Sequence, residues 1–462
     1  MILKVNNLEK ISFGLGGGVN AIKTDFFVWY LGAYYLTVLG LSPILTGSAL
    51  LLALFFDAVS DPLIGSISDR IRSRFGRRHL FMGISLIPIS ITYFMLFIPD
   101  QNWSNNQLVL FFWLLIFAIL TRFFVTLFDI PHRALAAEIP DTYEEKANIM
   151  SLREGFQSFI ALSHSFIILP YINIDHDENW INVGLIGALM MFLFGLVSVI
   201  GTRTLIPDLY KWPKNQNRTD MFKEIKEQVK FVYKNQTIIL FLLGSITIQL
   251  AWGLANSLTF LTQTQFWGLN TLQIQEFIKI YFISTLLSWF LVPKLVKNFE
   301  KKTILISSLL IIGIFQALPF IAYKFGVAPN LGSDSLVYFI SLFIFITGTF
   351  SLISLMTRES MVPDMIDQVQ RESNLRQDGT ISSLTSFCAK CMTGLGQFFS
   401  MFVLWLISFP NGSVEATLQQ KEMLALFQGP MIMLLFLIPI FIFAGYKLDR
   451  RKHREILSDL KT

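Results

Sequence analysis

Charge and cysteine are the two things this 462-residue chain has little of. Asp, Glu, Lys and Arg together make up 15% of it, against about 25% in a soluble globular chain. So few charges do not furnish a water-facing surface for a protein of this size. The two cysteines, Cys388 and Cys391, exclude a disulfide framework. Their CxxC spacing admits redox or metal chemistry, but both lie in one apolar stretch, where two small helix residues are the simpler reading. There is no HExxH, no phosphate-binding glycine loop and no nucleophile beside a base, so the common signatures of hydrolases and nucleotide-driven enzymes are missing. The first apolar run lacks a small-residue cleavage site and is expected to stay as a membrane span.

What the chain has instead is apolar side chain. Hydrophobic residues make up 53% of it, with 45 Phe, and the mean hydropathy is +0.56. One water-soluble core cannot hide that many phenylalanines, so lipid must solvate many of them. About 20 mostly apolar residues cross a bilayer as helix. On that rule we place spans at 11–39, 43–68, 79–98, 107–134, 147–172, 182–205, 238–263, 272–296, 303–324, 335–357, 380–409 and 425–447. The expected fold is all-α, with twelve transmembrane helices. The net charge of +5 does not point to nucleic acid, because the basic residues sit in loops between apolar runs. Arg70, Arg72, Arg74, Arg77 and Arg78 follow the second span, Lys294, Lys297, Lys301 and Lys302 the eighth, and Arg450, Arg451 and Lys452 the last; alternate loops are poor in Lys and Arg. The positive-inside rule then puts both termini in the cytoplasm of a multi-pass inner-membrane protein.

The hydrophilic stretch 206–237 divides the chain into six-span halves, 1–205 and 238–462. Within it, Phe222, Ile225, Val229 and Val232 fall at helical spacing, which predicts an amphipathic helix over Met221–Tyr233. The halves echo each other: Glu138-Ile-Pro-Asp141 follows span 4, Met361-Val-Pro-Asp364 follows span 10, and Arg153 and Arg376 come after each in turn. Two parallel six-helix repeats around a central site is a transporter architecture.

Against this apolar background the charged residues inside spans are informative, since each costs about 2.5–3.5 kcal/mol at the bilayer centre. Asp57 and Asp61 are i and i+4 in span 2 and share one helix face. Two carboxylates that close repel unless a cation or a proton lies between them. Ser60 can add an oxygen ligand for a hard cation; a structural ion pair to another helix is the alternative. In span 4, Arg122, Thr126, Asp129 and Arg133 lie on one stripe. Hydroxyl, carboxylate and guanidinium together suit a polar, hydroxyl-bearing solute, although Arg122 and Arg133 can also snorkel toward the interfaces. Lys390 in span 11 needs a carboxylate partner, and Asp57, Asp61 and Asp129 are available. Lys23 and Asp25 in span 1 follow Gly14-Leu-Gly-Gly-Gly18, a run that permits close helix approach. His132 and His164 read first as packing residues, with proton relay the alternative for His164.

These residues line up with a known family. The run Asp57-Ala-Val-Ser-Asp61-Pro-Leu-Ile-Gly65 through Asp69-Arg-Ile-Arg-Ser-Arg-Phe-Gly76-Arg-Arg78 resembles the glycoside-pentoside-hexuronide:cation symporters, the melibiose-carrier branch of the major facilitator superfamily. Asp129-Ile-Pro131, Arg153, Asp378-Gly379 and Phe387-Cys-Ala-Lys390 continue the match in order through both halves. The resemblance implies the major facilitator fold and symport of a sugar, glycoside or uronide with Na⁺ or H⁺ as the coupling ion. No cofactor is expected, and the chain is expected to act as a monomer. It implies a cation site at Asp57 and Asp61 with Thr126, substrate binding by Asp129 and Arg153, and a linking role for Lys390. Asp69, with Arg70 and Arg77 of the basic loop, resembles the family's cytoplasmic gate.

Two departures bear on the solute. Ala21 stands where melibiose-type carriers have a sugar-binding aspartate, with Asp25 one turn further along the same face as a candidate substitute. Arg133 takes the place of a stacking tryptophan, and arginine favours an anionic group where an aromatic favours an apolar sugar face. A uronide or another anionic sugar is therefore expected ahead of a galactoside. The same branch includes lysophospholipid carriers, the second expectation; a polytopic membrane enzyme is the third.

Overall fold

The computed structural model describes residues 6–71, 73, 75–100, 103, 106–138, 143–171, 178–206, 235–373, 378–412 and 414–459. The expected helix at Met221–Tyr233, the turn at 139–141, Arg72, Arg74, loop 175–177 and Arg376 lie outside the described residues, as do the side chains of Asp69, Arg70 and Asp378.

Helix is what an apolar chain makes in lipid, because each main-chain N–H and C=O must find its partner within the segment. Twelve long helical segments fall where the apolar runs lie. They are α1 (Asn7–Trp29), α2 (Pro43–Arg70), α3 (Arg77–Met95), α4 (Gln107–Glu138), α5 (Tyr143–Ile168) and α6 (Glu178–Gly201), then α7 (Gln236–Leu261), α8 (Thr271–Asn298), α9 (Lys301–Lys324), α10 (Asp334–Ser373), α11 (Asp378–Leu406) and α12 (Leu418–Leu426 continued by Ile432–Ala444). A short α13 (Arg450–Asp459) follows. Among the described residues, ten helices are long and apolar enough to cross a membrane. The two that fall short by composition are α1, with Lys23 and Asp25, and α5, with Arg153, Glu154 and His164. Charged and polar residues inside a helix lower its apolar signal. Lys279, which interrupts the eighth apolar run, forms a surface pair with Glu276 one turn earlier at 2.6 Å, and α8 continues through it.

The surface pattern is inverted relative to a soluble protein. On α2, Leu52, Phe55, Val59, Leu63 and Ile67 expose an apolar stripe at three- and four-residue spacing, while Asp57 on the same helix is 2% exposed. That arrangement is stable only where the outer solvent is hydrocarbon.

The described chain forms two compact units, Met1–Gln216 with Gln397–Ala416, and Asn217–Gly396 with Thr417–Thr462. In the first unit α1 packs on α5 and α6, α2 on α4, and α3 on α4 and α6. In the second, α7 packs on α12, α8 on α10, and α9 on α10 and α12. Advancing the helix numbers by six converts four of the first set of pairings into the second. The repeat extends to local geometry. After α1 a short helical turn, Leu31–Ala33, leads into a π-turn at Tyr34–Val38, and α7 runs into one at Thr262–Phe266. Each is closed by a glycine with positive φ, Gly40 at 73° and Gly268 at 66°, a conformation that disfavours any side chain. Leu41 and Leu269 then donate back to the carbonyls of Tyr35 and Gln263.

Candidate cation and substrate site

The first unit collects most of the charged residues singled out from the sequence. Asp57 and Asp61 face α4 from successive turns of α2. Between them lies the Thr126 hydroxyl, 2.8 Å from Asp57 Oδ1 and 3.0 Å from Asp61 Oδ1. A hydroxyl has one hydrogen, and here two carboxylate oxygens sit within its reach. Three oxygens so close together, two of them anionic, form a pocket of negative potential suited to a hard cation or a shared proton. Ser60 is buried but turns away from this group, donating to the main-chain carbonyl of Asp57 at 3.0 Å.

Arg122, one turn before Thr126, does not snorkel. Its side chain is buried, Nη1 donates to Asp57 Oδ2 at 3.3 Å, and the guanidinium carbon lies 4.8 Å from the centre of the Phe27 ring. Nε is left buried with no hydrogen-bond partner. The guanidinium both neutralises part of the carboxylate charge and spends its flat face on an aromatic ring.

One turn beyond Thr126 lies a second cluster. Asp129 Oδ1 accepts from Arg153 Nη2 at 2.5 Å and Oδ2 from Arg133 Nε at 2.8 Å. Arg153 is wholly buried and uses its whole fork: Nη1 donates to Glu154 at 2.6 Å and Nε to His132 Nδ1 at 3.4 Å. His132 Nε2 lies 2.9 Å from the Phe13 carbonyl, an acceptor, so that nitrogen carries the hydrogen and Nδ1 receives the Arg153 bond. The neutral ring, stacked on Phe13 at 4.3 Å, is thus a spacer that orients Arg153. The glycine run of α1 makes room for this. A Cβ on Gly16 would lie 2.5 Å from His132 Nε2, and one on Gly17 would lie 3.2 Å from the Arg153 side chain and carbonyl.

Arg133 differs from its neighbours. Its side chain is 41% exposed and only Nε is engaged, so both Nη groups are held out by Asp129 with no protein partner among the described residues. A guanidinium anchored by one edge and open at the other is a ready receptor for a carboxylate or other oxyanion.

Asp25 lies apart from both clusters, with its oxygens engaged by His164 and Ser165 of α5. Ala21, one turn earlier, is buried. Lys390 is half-buried on α11 in the second unit, and Arg77 half-buried at the start of α3. Spacing alone did not identify Arg122 as the partner of Asp57, nor Glu154, His132 and Ser165 as supporting residues. Arg122 had a signal, its place on the Thr126 stripe; the others had none beyond being polar residues in apolar runs.

Polar and charged side chains are thus buried among helices whose outer faces are apolar, the pattern of a polytopic membrane protein with a polar interior. The family follows from comparison: residues 12–450 match the model described as MFS/sugar transport protein, and the chain belongs to that family. An uncharacterised symporter of Synechocystis sp. is 33% identical over 156 residues, 33% of this chain and 29% of that one. A glucuronide carrier protein homolog of Escherichia coli is 22% identical, covering 97% of this chain and 94% of its own length. A sodium-dependent lysophosphatidylcholine symporter of Gallus gallus is 23% identical over 98% of this chain and 89% of that protein. Among solved structures, a bacterial homologue of the lysosomal transporter Spinster superposes with a TM-score of 0.65 at 14% identity, covering 99% of both chains, a likeness of fold.

Proposed function

We propose that this protein is a cation-coupled symporter of the inner membrane, carrying a sugar-class solute by alternating access, with both termini in the cytoplasm and the chain acting as a monomer. The observation that carries the reading is the single Thr126 hydroxyl within reach of both Asp57 and Asp61. Na⁺ or H⁺ placed there relieves the repulsion of the two carboxylates. Asp129, shared by Arg133 and Arg153, lies one turn along α4, so charge gained at the cation site is felt at the solute site. Coupling of that kind is reciprocal: solute must raise cation affinity by the factor by which cation raises solute affinity. Arg133, with both Nη groups open, supports an anionic sugar such as a uronide, and the glucuronide carrier homolog among the relatives agrees with that class. Ser60, expected from its spacing to be a ligand, is left out of the proposed cation shell, because its hydroxyl is bonded to the Asp57 main-chain carbonyl. Lys390, and the gate of Asp69, Arg70 and Arg77, enter on the sequence resemblance alone.

The second reading is a carrier of lysophospholipids, favoured by the similarity to the Gallus gallus symporter and by the same open Arg133, which can grip a phosphate headgroup. Uptake into vesicles under an imposed Na⁺ or H⁺ gradient tests both, with neutral sugars, uronides and lysolipids as substrates. Gradient-driven accumulation of a uronide, lost in Asp57→Asn and Asp61→Asn, is the expected outcome. Accumulation that survives both substitutions rejects the cation site, and binding confined to lysolipids rejects the sugar.

A further inference from the structure

Asp25 and His164 form a polar group that neither cluster above uses. His164 Nδ1 lies 2.8 Å from Asp25 Oδ2. Ser165, the next residue on α5, has its hydroxyl 2.9 Å and 2.8 Å from the two Asp25 oxygens, and Tyr30 OH lies 3.1 Å from the same hydroxyl. The His164 side chain is fully buried and that of Asp25 is 9% exposed.

The chemistry of the donors sets the protonation state. An ionised carboxylate only accepts, so Nδ1 carries a hydrogen and donates to Asp25. In the neutral ring Nε2 is then a bare lone pair, and it is buried with no hydrogen-bond partner. The titratable groups that face the pair are the phenols of Tyr30, which caps α1, and Tyr93 of α3, and the Tyr93 hydroxyl is likewise buried without a hydrogen-bond partner. No hydrogen bond or ion pair joins Asp25 or His164 to a charged side chain of α4 or α6 among the described residues. Lys23, two residues before Asp25, acts on Asp129. With a neutral imidazole the group therefore holds one carboxylate and no cation. A proton taken from water onto Nε2 turns it into an imidazolium–carboxylate pair of zero net charge in place of a lone buried carboxylate.

We propose that Asp25 and His164 form a proton-binding site, separate from the Asp57–Asp61 cation site, whose occupancy controls the transport rate. Imidazole is the side chain whose charge ordinarily changes between about pH 5 and 8, which sets the range of the test. Control of transport rests on the symport reading; the proton site itself does not, and the two are tested separately.

For the site, the full-length protein in detergent is labelled at the histidine rings and followed by NMR from about pH 5 to 8. One signal, absent from His164→Gln, should titrate and move when Asp25→Asn removes its partner. If His164→Gln does not fold, the signal is assigned by replacing His79, His132, His176 and His453 in turn. A His164 ring that keeps one protonation state across the range overturns the proposal, whether or not the protein transports anything. For control, uptake under a fixed Na⁺ gradient is measured over the same range. The wild type should change about fivefold or more, and His164→Gln should be flat while keeping its dependence on Na⁺. An unchanged pH profile in that variant overturns the control of transport.

Discussion

The two units bury different kinds of polar group. Inside the first, Asp57, Arg122, Asp129, Arg153, His132 and His164 are all buried, and they answer one another across helices. In the second, most of the buried polar residues of α8 and α10 are hydroxyls, and several of them return to main-chain carbonyls. Ser284 lies within hydrogen-bond reach of the Ile280 and Phe345 carbonyls, and Ser288 of the Ser284 and Thr349 carbonyls. Arg358, a buried cation of the second unit, is paired with the exposed Glu359. A hydroxyl bonded to its own helix carries no charge and gives an arriving ion nothing to act on. Carboxylates shared between a hydroxyl and a guanidinium do respond, because each added charge changes the energy of the others. Among the described residues the buried clusters of opposite charges are therefore concentrated in the first unit, while glycines bring helices close in both.

Removing Arg153 should break this contrast most severely. Taking one partner from a buried ion pair leaves the other charge unanswered, at a cost of about 3–5 kcal/mol. Arg153→Met is expected to lower Tm and abolish solute binding. The double variant Asp129→Leu/Arg153→Met removes both charges and should recover most of the Tm while still binding nothing. Thermal unfolding in detergent, with and without solute, separates the outcomes. Equal destabilisation of the single and double variants would mean that charge is not what holds the cluster.

The second unit should fail for a different reason, sterics. A Cβ at Gly396 of α11 would lie 2.5 Å from the Leu250 carbonyl and 2.8 Å from the Leu254 amide, both rigid main chain of α7. Gly253, on the facing helix, would drive a Cβ to within 2.3 Å of the Thr393 carbonyl, so the two helices touch backbone to backbone. Gly396→Ala is expected to cost about 1–3 kcal/mol through forced separation. Gly83→Ala on α3, where a Cβ meets nothing within 4 Å, should be neutral or slightly stabilising. Comparing Tm for the two variants decides whether close approach or loss of glycine flexibility is at work.

How much of this was legible beforehand follows from sequence separation. The Asp57–Asp61 and Asp129–Arg133 relations are i, i+4 pairs, and helical spacing alone put each on one face. Arg122 sat on the same stripe as Thr126, but whether it turned inward to Asp57 depended on α2 lying against α4, which no periodicity encodes. Asp25 and His164 are 139 residues apart, and nothing near either one names the other. The reduced apolarity of α1 and α5 was a weak sign that they share polar work. The repeat was visible near Pro140 and Pro363, yet the clearer copy, a π-turn closed by Gly40 and again by Gly268, passed unread because glycine followed by leucine is too common to stand out.

The smallest effect is expected at the serine ladder, and it gives the comparison its sharpest form. Ser288 of α8 is fully buried, and its hydroxyl can bond either to its own helix at Ser284 or across to Thr349 of α10. Replacing it with alanine removes one hydroxyl and opens no large cavity. The two carbonyls it served keep bonds from elsewhere in their helices, so little is left unsatisfied. Interhelical hydrogen bonds of this kind average about 0.6 kcal/mol in membrane bundles. Ser288→Ala should therefore shift Tm by a degree or two at most and leave uptake, its cation dependence and its pH profile unchanged. If uptake instead fell as far as in Arg153→Met, the second unit would be contributing polar chemistry through Ser288, and the division of labour between the two units would not hold.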